Sequence, residues 1–184
     1  MVEVTALVPT GRRMTYEQYL DLPDEVRAEY VDGEALMNLA PSFRHQEVCL
    51  RLADLLRAQL GPAAVVALAV GWQLADRAPK LRIPDLVVLE RRPDSDLVTT
   101  APLVAVEVMS SNRRNDLVRK STEYLAAGVQ QYWIVDLRDR GISVYSRAEG
   151  GWELLADLTS SAPTATVEIP PFGSVNVSLA ELLD

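Results

Sequence analysis

Among 184 residues there is one cysteine, Cys49, and one histidine, His45. A lone cysteine excludes an intramolecular disulfide and an all-cysteine metal site, and a lone histidine excludes multi-histidine zinc centres. Positive charge is also short. Eighteen Lys and Arg stand against 26 Asp and Glu, a formal net charge of −8. That balance argues against a protein that coats nucleic acid through a basic surface. It leaves room for an enzyme whose acidic site is neutralised by a divalent metal. Long apolar runs are missing too: Ala63–Val70 and Leu103–Met109 are far too short to cross a bilayer. Met1 to Gly11 lacks the basic start and apolar core of a signal peptide. The expectation is a soluble, cytoplasmic protein with no membrane association.

What is present suits one compact core. Apolar residues make up 48% of the chain and charged residues 24%, too apolar for wholesale disorder. Residues 1–13 read as an N-terminal arm and 14–184 as a single domain, with no internal repeat or low-complexity segment. Thr15–Leu22 predicts a short helix capped by Thr15 and closed by Pro23. Asp32-Gly33, flanked by short segments from Glu29 to Met37, predicts a tight hairpin. A helix follows from Ser42 to about Leu60, with Leu52, Leu55, Leu56 and Leu60 as its apolar stripe and Gly61-Pro62 as its stop.

Then the texture turns to strands: Ala64–Trp72, Ile83–Leu89 and Leu103–Met109, the last apolar on both faces as in a covered sheet. Asn115–Ala127 predicts a helix and Gln131–Asp136 another buried strand. Short strands at Ile142–Tyr145, Trp152–Asp157, Thr166–Ile169 and Val175–Val177 precede a helical turn at Leu179–Leu183. The order predicts an α/β or α+β domain, a mixed central sheet flanked by helices.

Charges inside apolar patterns are the informative residues, because a buried charge without a partner is costly. Glu107 shares a strand face with Leu103, Ala105 and Met109. Asp85 stands at the start of the preceding strand, after Pro84, which suggests an edge strand or a strand start. The two positions are symmetric about residue 96, inside Pro93-Asp94-Ser95-Asp96. An antiparallel hairpin would therefore set the carboxylates side by side, where they need a cation between them or a raised pKa. Lys120, one of two lysines with Lys80, lies on the helix stripe of Leu117 and Tyr124. It either aims at the carboxylates, where it can orient a water and stabilise charge on phosphorus, or pairs with Asp116 at i−4. His45 reads as a surface or capping residue, Cys49, Tyr124, Tyr132 and Trp133 as core. Arg91-Arg92 and Arg113-Arg114 read as loops placed for phosphate contacts.

Together Pro84-Asp85, Val106-Glu107-Val108 and Lys120 resemble the PD-(D/E)xK nuclease superfamily. More closely, the chain is similar to the Uma-type endonuclease family. That match rests on Met14–Leu20, Glu29–Glu34, the Pro41-Ser42-Phe43-Arg44-His45 helix start, Val106–Ser111, Asp116, Lys120, Tyr124 and Ala127–Asp136. The resemblance implies a restriction-endonuclease-like fold. It implies that Asp85 and Glu107 hold Mg²⁺ (or Mn²⁺), that Glu29 is the additional acidic residue at the metal, and that Lys120 is the catalytic lysine. The sequence departs from the superfamily pattern at Met109, where a lysine is expected, and Lys120 supplies it from the next helix. It departs again at Gln131, where an acidic residue is common.

Two functions follow. One is a metal-dependent endonuclease hydrolysing phosphodiesters, expected to act on DNA as a homodimer, since two sites cut two strands. The other is a nuclease-fold interaction protein with weak or no catalysis, which the net charge favours. A two-carboxylate glycosidase leaves Lys120 unexplained.

Overall fold

The computed structural model describes residues 11–23, 26–37, 40–74, 78–109 and 114–184. All but the last three residues of the expected arm lie outside these. The chain opens with β1 (Arg12–Arg13) and α1 (Tyr16–Leu20). Thr15 caps α1 by a reciprocal pair of hydrogen bonds with Gln18. The hairpin follows as β2 (Ala28–Val31) and β3 (Glu34–Met37), with Val31 opposite Glu34. Its turn puts Asp32 at φ 52° and Gly33 at φ 81°, the pair of left-handed residues that a two-residue turn between twisted strands requires.

Helix α2 (Phe43–Leu60) is capped by the Ser42 hydroxyl, which accepts from the His45 amide, and ends at Gly61. Its inward stripe is His45, Val48, Cys49, Leu52, Ala53, Leu56 and Leu60. The strand expected over Ala64–Trp72 is two. In β4 (Val65–Leu68) the chain runs with the main sheet, then Ala69 turns it out at φ 48°. Gly71 passes so close to Leu97 that a Cβ would sit 2.8 Å from its side chain. The chain then enters β5 (Trp72–Leu74), which pairs with β6 (Lys80–Arg82) in a second sheet ordered β1-β3-β2-β6-β5.

Strands β7 (Leu86–Leu89) and β8 (Val104–Met109) are antiparallel, with Leu86 opposite Val106 and Val88 opposite Val104. The expected symmetry about residue 96 holds. Pro84 does not mark an edge, because β7 lies between β4 and β8. It sits just before the strand, where a missing N–H leaves the ladder intact. Helix α3 (Arg114–Ala127) then crosses to β9 (Gln131–Asp136), parallel to β8. Strands β10 (Gly141–Ala148) and β11 (Gly151–Leu158) complete a six-stranded sheet ordered β11-β10-β9-β8-β7-β4. A separate hairpin, β12 (Thr164–Ile169) and β13 (Gly173–Ser178), and the short α4 (Leu179–Leu183) close the chain.

The main sheet buries both faces. Val104, Val106 and Val108 of β8 pack toward α2, β13 and α4, while Ala105 packs with Trp72, Tyr124 and Tyr132 on the α3 side. Side chains alternate along a strand, so Glu107 must share the α3 side with Ala105. Among the described residues no helix is long and apolar enough to cross a membrane.

Candidate active site

The antiparallel ladder of β7 and β8 ends at Leu86 and Val106, and the next pair outward is Asp85 and Glu107. Asp85 stays attached to both neighbouring strands. Its carbonyl accepts from the Ala69 amide at 3.1 Å, and its Oδ2 accepts from the Val108 amide at 2.7 Å. The side chain thus replaces a ladder hydrogen bond and is pinned at the strand end.

Glu107 is buried at the same end. Tyr124 donates its phenol proton to Oε1 at 2.7 Å, and Lys120 donates to Oε2 at 2.9 Å. Burial pushes the Glu107 carboxyl up to about 7; Lys120 pulls it down, and the charges on Asp85 and Glu29 push it up again. Burial, with Glu107 adding to it, keeps Tyr124 a phenol and hence a donor.

Glu29 arrives from β2 in the second sheet. Its Oε1 accepts from the Ile83 amide at 3.1 Å and lies 3.1 Å from the Lys120 Nζ, while Oε2 accepts from Arg82 at 2.8 Å. Burial opposes its charge, but Lys120, Arg82 and the Ile83 amide outweigh burial and hold the carboxyl below its ordinary value. Arg82, wholly buried in β6, also donates from Nε to Glu123 at 2.7 Å. Glu123 continues a chain of alternating charges, Glu107–Lys120–Glu29–Arg82–Glu123, outward to Arg119 and Lys80.

The structure therefore brings Asp85, Glu107, Lys120 and Glu29 to one end of the β7–β8 pair. The Lys120 ammonium points inward, its side chain 7% exposed. Its alternative partner, Asp116, has a side chain outside the described residues. Met109 does not take the lysine's place, because Lys120 reaches Glu107 from α3. Gln131 lies at the other end of β8, opposite Val104, and accepts from the Trp133 indole at 3.1 Å. Arg91 and Arg92 are exposed and leave the far end of β7, about 20 Å of extended strand from Asp85. Arg113 and the Arg114 side chain lie outside the described residues.

Sequence reasoning missed His45. Its side chain is 10% exposed, and Nε2 lies 3.3 Å from Asp85 Oδ2. Nδ1 faces the Cys49 sulfur at 3.6 Å, one helical turn on. The hydrogen bond to Asp85 raises the His45 pKa, burial notwithstanding, with Glu107 and the Val108 backbone adding to the rise. Burial pushes the Cys49 thiol up to about 12, so it remains a neutral thiol. The stripe of α2, carried back one turn from Cys49, lands on His45 and was the available signal.

As a donor set the residues fit a divalent ion. His45, Cys49 and Asp85 each bring a ligand-type atom within 4.8 Å of the others, and Glu107 stands beside Asp85 in the strand register, outside that cluster. Hard carboxylate oxygens suit Mg²⁺ or Mn²⁺, and an ion beside Glu107 would keep it charged at a pH where burial would protonate it.

The sequence profile of the Uma2 family, described as "Putative restriction endonuclease", matches residues 16–179. The chain belongs to the Uma2 family. Among solved structures it is similar to one described as "a putative nuclease belonging to DUF820" from Anabaena variabilis ATCC 29413. The two are 21% identical with a TM-score of 0.75, over 92% of this chain and 97% of that one. No curated protein matches the chain. The Uma2 fold here is restriction-endonuclease-like, and the family's description is that of a nuclease, a class that typically uses divalent metals.

Proposed function

We propose that this Uma2 protein is a metal-dependent endonuclease that hydrolyses phosphodiester bonds in DNA. In this reading residues 14–184 work as one nuclease domain, in the cytoplasm, with two copies serving the two strands. The observation that carries the reading is the Lys120 ammonium, 2.9 Å from Glu107 and 3.1 Å from Glu29 in a buried site beside Asp85. Burying a lysine between two carboxylates, with a third at hand, is an expensive arrangement that packing alone does not require.

Asp85 and Glu107 would hold Mg²⁺ or Mn²⁺ through oxygen. Glu29, whose oxygens already accept from Arg82, Ile83 and Lys120, would act on the ion through a water and through Lys120. A bound ion polarises a phosphoryl oxygen and lowers the pKa of a water. The chain's own groups do the rest. Lys120 would orient the attacking water and offset negative charge on phosphorus as the water oxygen bonds to it with loss of a proton to solvent and the sugar oxygen leaves, taking up a proton from solvent. Tyr124 fixes the rotation of the Glu107 carboxylate, and Arg82 fixes Glu29.

The net charge of −8 favours the second reading, an interaction protein of this fold without catalysis. Titration with Mn²⁺ and cleavage of supercoiled plasmid separate the two. The nuclease reading expects binding and nicking in wild type, and loss of both in Asp85→Asn and Glu107→Gln. Metal binding without cleavage of any nucleic acid supports the second reading. Equal binding in wild type and both variants overturns the site.

A further inference from the structure

We infer that His45 Nε2 is a third protein ligand of the metal at Asp85 and Glu107, so that the site is a mixed nitrogen–oxygen one that favours Mn²⁺ over Mg²⁺. The inference rests on the nuclease reading only in taking Asp85 and Glu107 as metal ligands.

Three observations carry it. The first is spacing. His45 Nε2 and Asp85 Oδ2 are 3.3 Å apart, and two donors bound at right angles to one ion at about 2.1 Å stand about 3 Å apart. Both atoms therefore reach one ion with a small adjustment. The second is orientation. The ring's other nitrogen, Nδ1, faces Cys49 Sγ at 3.6 Å, which leaves only Nε2 on the Asp85 side. A metal-bound imidazole normally donates its remaining N–H to an outer partner that fixes tautomer and ring angle. A neutral thiol sulfur serves as that acceptor, so Cys49 orients the ligand and does not itself bind. The third is placement. His45 occupies the first turn of an 18-residue helix whose inward stripe it continues, and Ser42 holds its amide. The imidazole is carried to Asp85 by a helix that buries seven of its side chains.

The ring also has no nitrogen to spare for substrate, which speaks against His45 as a general base. Imidazole donors favour the later first-row ions, and Mg²⁺ prefers oxygen donors and water. The expected preference is thus Mn²⁺ over Mg²⁺, set by His45.

Because His45 is the only histidine, its nitrogen can be identified without a mutation. Mn²⁺ alone is added to the full chain, and electron spin-echo modulation is compared between natural-abundance protein and protein grown with ¹⁵N-histidine. A directly bound ¹⁴N modulation that changes to the ¹⁵N pattern on labelling supports the inference. His45→Gln should then lose that modulation, lower Mn²⁺ affinity about tenfold or more, and move Mg²⁺ affinity by a smaller factor. Mn²⁺ that binds, is released by Asp85→Asn, and shows no histidine nitrogen overturns the inference and leaves the metal reading standing. No Mn²⁺ binding at all overturns both.

Discussion

Lys120 and Tyr124, one helical turn apart on α3, take one oxygen each of the Glu107 carboxylate, at 2.9 and 2.7 Å. A helix presents residues i and i+4 on one face, so a single helix grips both oxygens. The carboxylate cannot rotate without breaking one bond or the other. The packing of α3 on the sheet thereby fixes the orientation of the carboxylate we propose as a metal ligand.

Lys120→Met removes the cation shared by Glu29 and Glu107. Nuclease activity should vanish while Mn²⁺ affinity is largely kept, because losing the ammonium's repulsion of the ion offsets the higher proton affinity of Glu107. The fold should survive but lose on the order of 3 kcal/mol at pH 8. Glu107, with its pKa raised further, regains stability by taking up a proton, so the loss should shrink at pH 5. Urea denaturation at the two pH values checks this; an equal loss at both would place Lys120 outside the carboxylate cluster.

Glu107→Gln should flatten the pH dependence of metal-free stability. The folded pKa of about 7 stands above the ordinary 4.5. Its contribution is complete below pH 4.5 and is lost as the pH rises through 7. Glutamine carries no such proton and still accepts from Tyr124 or Lys120. Without metal the variant should match or exceed wild type at pH 8 and gain no relative advantage at pH 4.5. Excess Mn²⁺ should reverse the ranking at pH 8, because only wild type binds it.

Tyr124→Phe deletes one donor to a buried carboxylate and little volume. It should cost about 1.5–3 kcal/mol and raise the Glu107 pKa further. Calorimetric Mn²⁺ affinity at pH 7 should fall by about tenfold and recover in part at pH 8.5, where Glu107 ionises again.

Arg82→Met leaves Glu29 and Glu123 buried without their common partner, at a cost of about 3–5 kcal/mol. Adding Glu123→Gln should restore part of it, a coupling that a double-mutant cycle reads directly. Additive losses would mean that the two side chains contribute independently.

Much of the site was legible because it obeys simple periods. The two-residue alternation of β7 and β8 places Asp85 beside Glu107, and the helical stripe through Leu117 and Tyr124 places Lys120 inward. The β5–β6 half of the second sheet was not legible. Lys80-Leu81-Arg82 carries no local signal, since a three-residue strand shows no alternation and arginine is rarely buried. What buries Arg82 is two carboxylates 53 and 41 residues away, a relation no local pattern contains. Tyr124 was read as core, which it is; its hydroxyl partner across the helix–sheet interface has no sequence signature. His45 was judged by its neighbours in sequence, and only the α2 stripe carried back one turn points inward.

The register of β7 against β8 turns about residue 96, yet nothing at that residue is needed to maintain it. Val98 anchors the returning limb through backbone bonds to Gly71 and Gln73, and the strand pairs hold the rest. Asp94, Ser95 and Asp96 at the tip are exposed and lie at the opposite end of the strands from the carboxylates. Chain length at this tip is therefore decoupled from chemistry. A fused tag or a spliced-in domain there lengthens the path from Asp85 to Glu107 along the chain and leaves their separation across the sheet unchanged.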